Sequence, residues 1–193
     1  MRIIKQEVYT FDELSAEAKE NVYSYWRNDD YFFYGDDYQE SLREFEKLFR
    51  VDVLEWGVDY YTYARLGFNK IEEDVLDLSG VRLMSYLYNN FYDSIYSGKY
   101  FRKNYRSKVT KEYCAPLTGV FSDHYLLDII VEFMDGKHVK SGYTFQALLE
   151  DCVDNWLKGF SDDYDYWCSP EAIKEEIEDG DYEFYEDGTR YRG

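Results

Sequence analysis

The sequence predicts an α+β fold in which helices pack on a small, mostly antiparallel sheet closed by a C-terminal hairpin. Three observations lead there. Several long stretches repeat their apolar residues at the spacing of a helix with one buried face. Short runs at the start and near the middle alternate and are rich in β-branched or aromatic residues, as half-buried strands are. Near the end, Asp187-Gly188 lies between alternating aromatic runs, a strong signal for a tight hairpin turn.

Taken in order, residues 2–9 read as a strand, and Ser15 then caps a helix that runs to about Arg27. Leu14, Ala18, Val22, Tyr25 and Trp26 share its inner side. A polar, aromatic loop, Asn28 to Gly35, separates it from a second helix over about Tyr38–Phe49, with Tyr38, Leu42, Phe45 and Phe49 inward. Residues 51–68 read as two strands turned near Gly57. A long helix follows over about 80–97, with Met84, Leu87, Tyr88, Phe91 and Ile95 as its stripe. Ser122 opens an almost wholly apolar helix through Leu126, Leu127, Ile130, Val131 and Met134. The next helix covers about Thr144–Phe160, its stripe being Phe145, Leu148, Leu149, Cys152, Val153, Trp156 and Leu157. Ser169-Pro170-Glu171 is a helix start, with a capping hydroxyl, a proline whose missing N–H costs nothing there, and an acid beside the positive dipole end. With only two prolines and no Gly/Ser-rich linker, residues 1–193 are expected to form one compact domain; if a lobe boundary exists, it falls near 98–115, where the composition shifts.

Composition narrows the class of function. At 193 residues the chain is long enough to bury a core without staples. Hydrophobic residues make up 45% and aromatics 21%, which excludes a disordered acidic tail. Three cysteines, Cys114, Cys152 and Cys168, in no CxxC spacing, argue against a disulfide framework and against a common zinc module. With His124 and His138 they match no metal-ligand spacing, so no metal or other cofactor is expected. No run reaches the ~18 apolar residues of a membrane span, and Met1–Glu7 lacks the apolar stretch of a secretion signal. The expectation is a cytoplasmic protein that does not contact membranes.

Charge is the most informative property. Asp and Glu number 40 against 22 Lys and Arg, for a net charge of −18. Such a field repels nucleic acid and attracts basic protein surfaces. The excess is concentrated late in the chain. From Glu150 to Asp187 there are 15 acids against Lys158 and Lys174, with Arg190 and Arg192 just after. Within it, Asp162, Asp163, Tyr164, Asp165 and Tyr166 interleave carboxylates with rings as a nucleic acid interleaves phosphates with bases, and these are the candidate partner-binding residues. The plainer reading is a solvated helix face and its exit loop.

One segment has the opposite character. Lys99 to Lys111 holds six bases and three aromatics in thirteen residues, with no acid. Lys99, Arg102, Lys103, Tyr105, Arg106, Lys108 and Lys111 are candidate RNA-binding residues, because bases neutralise phosphates and rings stack on unpaired bases. An internal counter-patch for the acidic body is the alternative. For catalysis the best constellation is Asp29, Asp30, Asp36, Asp37 and Glu40, since converging carboxylates can hold Mg²⁺ or Mn²⁺ for phosphodiester cleavage. Against it, Asp37-Tyr38-Gln39-Glu40 has the spacing of a capping box. A Cys114 thiol activated by His124 or His138 rests only on the presence of both residue types. No phosphate-binding glycine loop, HExxH or GxSxG occurs, so the balance leans away from an enzyme.

The opening Val8-Tyr9-Thr10-Phe11-Asp12-Glu13-Leu14-Ser15-Ala16-Glu17-Ala18-Lys19-Glu20 and the ending Tyr182-Glu183-Phe184-Tyr185-Glu186-Asp187-Gly188-Thr189-Arg190-Tyr191 resemble those of small acidic proteins encoded by bacteriophages and mobile elements of Gram-positive bacteria. Several type II anti-CRISPR proteins, which inhibit Cas9, open in a similar way. The resemblance implies an anti-defence protein of the host bacterial cytoplasm, with Cas9 or its guide-RNA complex as partner. It covers the two ends and carries no active-site residue. Three readings stand at this point: an inhibitor that binds a basic nucleic-acid-handling protein, a metal-dependent ribonuclease that shortens guide RNA, and an antitoxin or other phage accessory protein.

Overall fold

In the computed structural model, residues 7–28, 35–58, 62–96, 115–137 and 142–192 are described. They form α-helices and two small antiparallel sheets, which is the α+β class expected. The described residues group into two units, one from the chain ends (1–34 with 162–193) and one from the middle (35–161). The boundary considered near 98–115 lies almost wholly outside the described residues, and the observed division falls at 34/35 and 161/162.

The terminal unit is assembled from segments far apart in sequence. Of the strand expected over 2–9, the described part is β1, Tyr9–Thr10, which pairs antiparallel with β4, Glu183–Phe184. A short 3-10 turn over Phe11–Glu13 follows, closed by the Glu13 carboxylate, which accepts from the Thr10 N–H (2.8 Å) and hydroxyl (2.9 Å). Ser15 then caps α1, Ala16–Arg27, as expected, its hydroxyl accepting from the Ala18 N–H at 3.1 Å. Ala18, Val22 and Trp26 turn inward, whereas Tyr25 is 45% exposed. The last helix of this unit, Pro170–Asp179, begins as its sequence dictates, with the Ser169 hydroxyl accepting from the Ala172 N–H at 3.2 Å. Its Ile173 and Ile177 join Phe11, Leu14, Ala18, Val22, Trp26 and Phe184 in one apolar core. The C-terminal hairpin is also present. Tyr185 N–H donates to Thr189 carbonyl at 2.9 Å around a turn in which Gly188 has φ +86°. A Cβ there would lie 2.3 Å from the Ala18 carbonyl oxygen, so glycine is required both by the backbone and by the close approach.

The middle unit is a helical layer with one hairpin. Helix α2 spans Gly35–Phe49 and starts before Tyr38. Asp37 is therefore the third residue of the helix rather than its cap, and the capping-box reading of Asp37 and Glu40 is corrected. Strands β2 (Asp52–Val58) and β3 (Thr62–Gly67) pair antiparallel. With Val58 paired to Thr62, the connection falls just past Gly57. That residue stays within β2 opposite Tyr63, where a Cβ would come 2.8 Å from the tyrosine ring, so its role is close approach rather than turning. A short helix, α3 (Glu73–Leu76), was not expected. Helix α4, Gly80–Tyr96, buries Leu83, Leu87, Phe91 and Ile95, each four residues on. Leu87, Phe91 and Ile95 are as expected, Leu83 takes the place expected for Met84, and Tyr88 is 41% exposed. Helix α5, Asp123–Met134, is the apolar helix opened after Ser122. Helix α6 spans Phe145–Trp167, with every residue of its expected stripe buried, and it continues well past Phe160; the Pro170–Asp179 helix is α7. Phe45, Phe49 and Phe91 stack through the interior with centroids 4.7 Å apart. Trp56 pins the hairpin edge-on against Trp156 at 5.2 Å.

Candidate partner-binding surface

The last turns of α6 carry Asp162, Asp163, Tyr164, Asp165 and Tyr166. This run is helical, not an exit loop. It lies past Phe160, where the buried stripe ends, so the segment turns outward: Asp162 and Asp165 are exposed, Tyr164 is 42% exposed and Tyr166 55%. Asp162 and Asp165 stand at i,i+3, which on a helix sets Cβ atoms about 5–6 Å apart. Tyr164 hydrogen-bonds to the Cys168 side chain, and that bond, ahead of the nearby charges, raises its pKa.

Helix α7 extends the acidic surface within the same unit. Ala172, Ile173 and Ile177 are buried, while Glu171, Glu175, Glu178 and Asp179 are exposed. Asp181, Glu183, Glu186 and Asp187 continue it to the final turn. Residues 7–28 and 162–192 together hold 17 acids against five bases, a net charge of −12. Two of those bases are occupied: Lys174 bridges Asp12 (3.0 Å) and Glu178 (3.4 Å), and Arg27 reaches Glu20 (3.4 Å) and the Cys168 carbonyl (3.1 Å). A dense acidic face with exposed rings can steer and hold a basic surface.

Of the catalytic candidates, Asp36, Asp37 and Glu40 are among the described residues. Asp29 and Asp30 lie outside the described residues. Asp36, Asp37 and Glu40 occupy the start of α2, where acids complement the helix dipole. Among the described residues, no three His, Cys, Asp or Glu side chains form a group able to hold a metal ion. Cys152 is buried on the inner side of α6, where desolvation pushes its thiol pKa up and makes it unreactive. His124 faces Asp128 at 3.4 Å, while Cys114 and His138 lie outside the described residues. The RNA candidates Lys99, Arg102, Lys103, Tyr105, Arg106, Lys108 and Lys111 all lie outside them as well. Among the described residues no helix is long and apolar enough to cross a membrane.

Sequence reasoning missed a buried polar centre beneath the N-terminus of α5. Asp123 is fully buried. One carboxylate oxygen accepts from the backbone N–H groups of Leu117 (2.9 Å), Thr118 (2.8 Å) and Gly119 (3.3 Å). The other accepts from the hydroxyls of Ser41 (2.7 Å) and Thr118 (2.8 Å). Ser122 adds a hydroxyl contact to Ser41 at 2.7 Å and donates to the Asp37 carbonyl at 3.3 Å. Every partner is internal, so the centre joins α2, α5 and the 117–119 loop rather than receiving a ligand. One signal was available: Ser41 interrupts the inward stripe of α2 with a hydroxyl that burial obliges to find a partner.

Comparison with protein-family models, with curated proteins and with solved structures gave no match. The functional reading therefore rests on the chemistry of this surface.

Proposed function

We propose that this protein is a binding inhibitor that docks through the acidic face of its terminal unit onto a basic surface built for nucleic acid. We propose Cas9, alone or with its guide RNA, as the partner, which makes the chain a phage-encoded anti-defence protein acting in the bacterial cytoplasm. One observation carries the reading: a net charge of −12 on the terminal unit, displayed beside the exposed rings of Tyr164 and Tyr166. Carboxylates supply the charge pattern of phosphates, and tyrosines supply large, rigid contact area at low entropic cost. Association through such a face is fast and weakens steeply with salt.

The test mixes the purified protein with Cas9, labelled guide RNA and Mg²⁺, resolved on native and denaturing gels. Intact RNA with a shifted or lost complex supports the proposal. Shortened RNA overturns it in favour of a ribonuclease. Intact RNA with an unperturbed complex removes Cas9 as the partner. Two variants of equal net charge then locate the surface. One neutralises Asp162, Asp163, Asp165, Glu171 and Glu175 as amides; the other does so at Glu72, Glu73, Asp74, Asp77 and Asp93 in the middle unit. Each moves the chain from −18 to −13. The first is expected to lose binding and the second to keep it; equal loss would mean that bulk charge alone acts.

A further inference from the structure

Three bases of the described terminal unit are in no ion pair with a described residue: Lys19 reaches the Asp12 carbonyl at 3.0 Å, and the other two lie together. Arg190 and Arg192 stand two residues apart on the extended segment after the C-terminal turn, a spacing that puts both side chains on one side. Both line a groove of about 600 Å³, within the size range of small-ligand sites. Tyr25 and Asn21, one helical turn apart on α1, form its other wall, and Tyr185 and Thr189 complete it. Neither arginine forms an ion pair with a described residue, although the unit carries 17 acids against five bases. The Arg190 guanidinium instead lies 3.7 Å from the centre of the Tyr182 ring, which fixes its plane while leaving its N–H groups to be used. Asp187 also borders the groove, but its carboxylate is engaged in the turn, accepting from the Thr189 N–H at 2.9 Å.

We infer that this groove binds a nucleotide, its phosphate held by Arg190 and Arg192 and its base laid against the exposed ring of Tyr25 or the half-buried ring of Tyr185. Guanidinium groups match phosphate geometry with paired N–H donors, and tyrosine rings accept any base because every base has a π-face. Asn21 donates one amide N–H to the Asp187 carbonyl at 3.1 Å, which orients its remaining groups toward the groove as polar contacts for a sugar or base edge. The acidic surroundings oppose an incoming phosphate at long range, yet this field is screened within about 8 Å at physiological salt, so the two arginines dominate at contact. A simple carboxylate would satisfy the guanidinium groups but leave both rings unused. The site goes beyond the proposed inhibition and does not depend on it.

The experiment titrates the full chain by calorimetry with AMP, GMP, CMP and UMP, with the matching nucleosides, with N-acetylglutamate as a carboxylate probe, and with an RNA hexamer bearing a 5′-phosphate or a 5′-hydroxyl. Saturable nucleotide binding is expected, weakened at least about tenfold for the nucleosides and for Arg192→Gln, the loss of a charge-assisted contact. Arg192 is exposed and has no ion pair with a described residue, so that variant is expected to fold even if Arg190→Gln disturbs the packing on Tyr182. Competition by the phosphorylated hexamer and not its hydroxyl form identifies a strand end as the source; competition by neither identifies the mononucleotide. No heat up to about 5 mM nucleotide, binding unchanged in Arg192→Gln, or equal binding of N-acetylglutamate each overturns the inference.

Discussion

Replacing Asp123 tests whether the buried centre beneath α5 is as internal as its geometry shows. In Asp123→Ala the N–H groups of Leu117 and Thr118 lose their acceptor in a buried setting, while the Gly119 N–H is half-exposed and can turn to water. The hydroxyls fare better. Ser41 keeps Ser122 at 2.7 Å, and the Thr118 hydroxyl already accepts from the Val120 N–H at 3.1 Å. Two orphaned buried donors at about 1–3 kcal/mol each give an expected loss of about 4 kcal/mol. Asp123→Asn is milder. Its oxygen can face the three N–H groups while its amide donates to the Ser41 and Thr118 hydroxyls, which rotate to accept. What remains lost is the charge at the helix N-terminus and the strength of charge-assisted bonds, about 1–2 kcal/mol. Urea unfolding followed by tryptophan fluorescence measures both, with an unchanged m-value showing that the native fold persists. A loss below about 1 kcal/mol for alanine, or asparagine as damaging as alanine, would refute the account.

Gly188→Ala is expected to destabilise the terminal unit by about 1–3 kcal/mol or more, because it combines a positive φ with a Cβ 2.3 Å from the Ala18 carbonyl; proteolysis between α1 and the C-terminal turn would report it, and a neutral result would remove the close approach. Alkaline pH is expected to erode stability through Tyr96 and Tyr143. Burial raises both phenols, Tyr96 to about 12, and the Asp151 hydrogen bond raises Tyr143 further. The unfolded chain therefore loses these protons first, so the stabilisation is complete below pH ~10 and fades as pH climbs toward the folded values. Tyr96→Phe and Tyr143→Phe should flatten that limb of the stability profile relative to the parent, and an unchanged slope would show that the phenols are not shielded.

Local chemistry in the sequence placed most of the helices, and long-range pairing hid the rest. Ser15, Ser169 and Pro170 mark helix starts because a capping hydroxyl and a proline act on their own neighbours. The α6 stripe was legible because every buried position repeats at helical spacing. In α4, Leu87, Phe91 and Ile95 were legible, but Tyr88 is apolar enough to read as core yet sends its hydroxyl to the Met134 carbonyl at 3.2 Å, a partner no local pattern shows. Gly57 read as a turn because glycine serves turns and close approaches alike, and only Tyr63 across the sheet separates the two. The acidic run at 162–166 was legible as a candidate surface. The arginine groove was not, because Tyr25 and Arg192 are 167 positions apart.

In the terminal unit, the opening and the ending of the chain are committed to packing against each other. The opening supplies Phe11, Leu14 and Ala18, the ending supplies Phe184 and Gly188, and the two meet as one core and one strand pair. Glu13 closes a turn and Ser15 caps a helix, so both pieces of the opening are spent on folding. The chain ends thus build this unit's own core, which leaves its outer face for other uses. In this chain that face carries most of the charge: −12 of −18 on a unit of 66 residues, against −6 on the other 127. Solubility needs only a net charge of about 2–8 for a small domain and gains nothing from segregating it. Self-repulsion within so acidic a unit works against its own compactness. A charge this concentrated, on the unit whose core is already secured from both chain ends, is the feature that the proposed docking on a basic partner draws on.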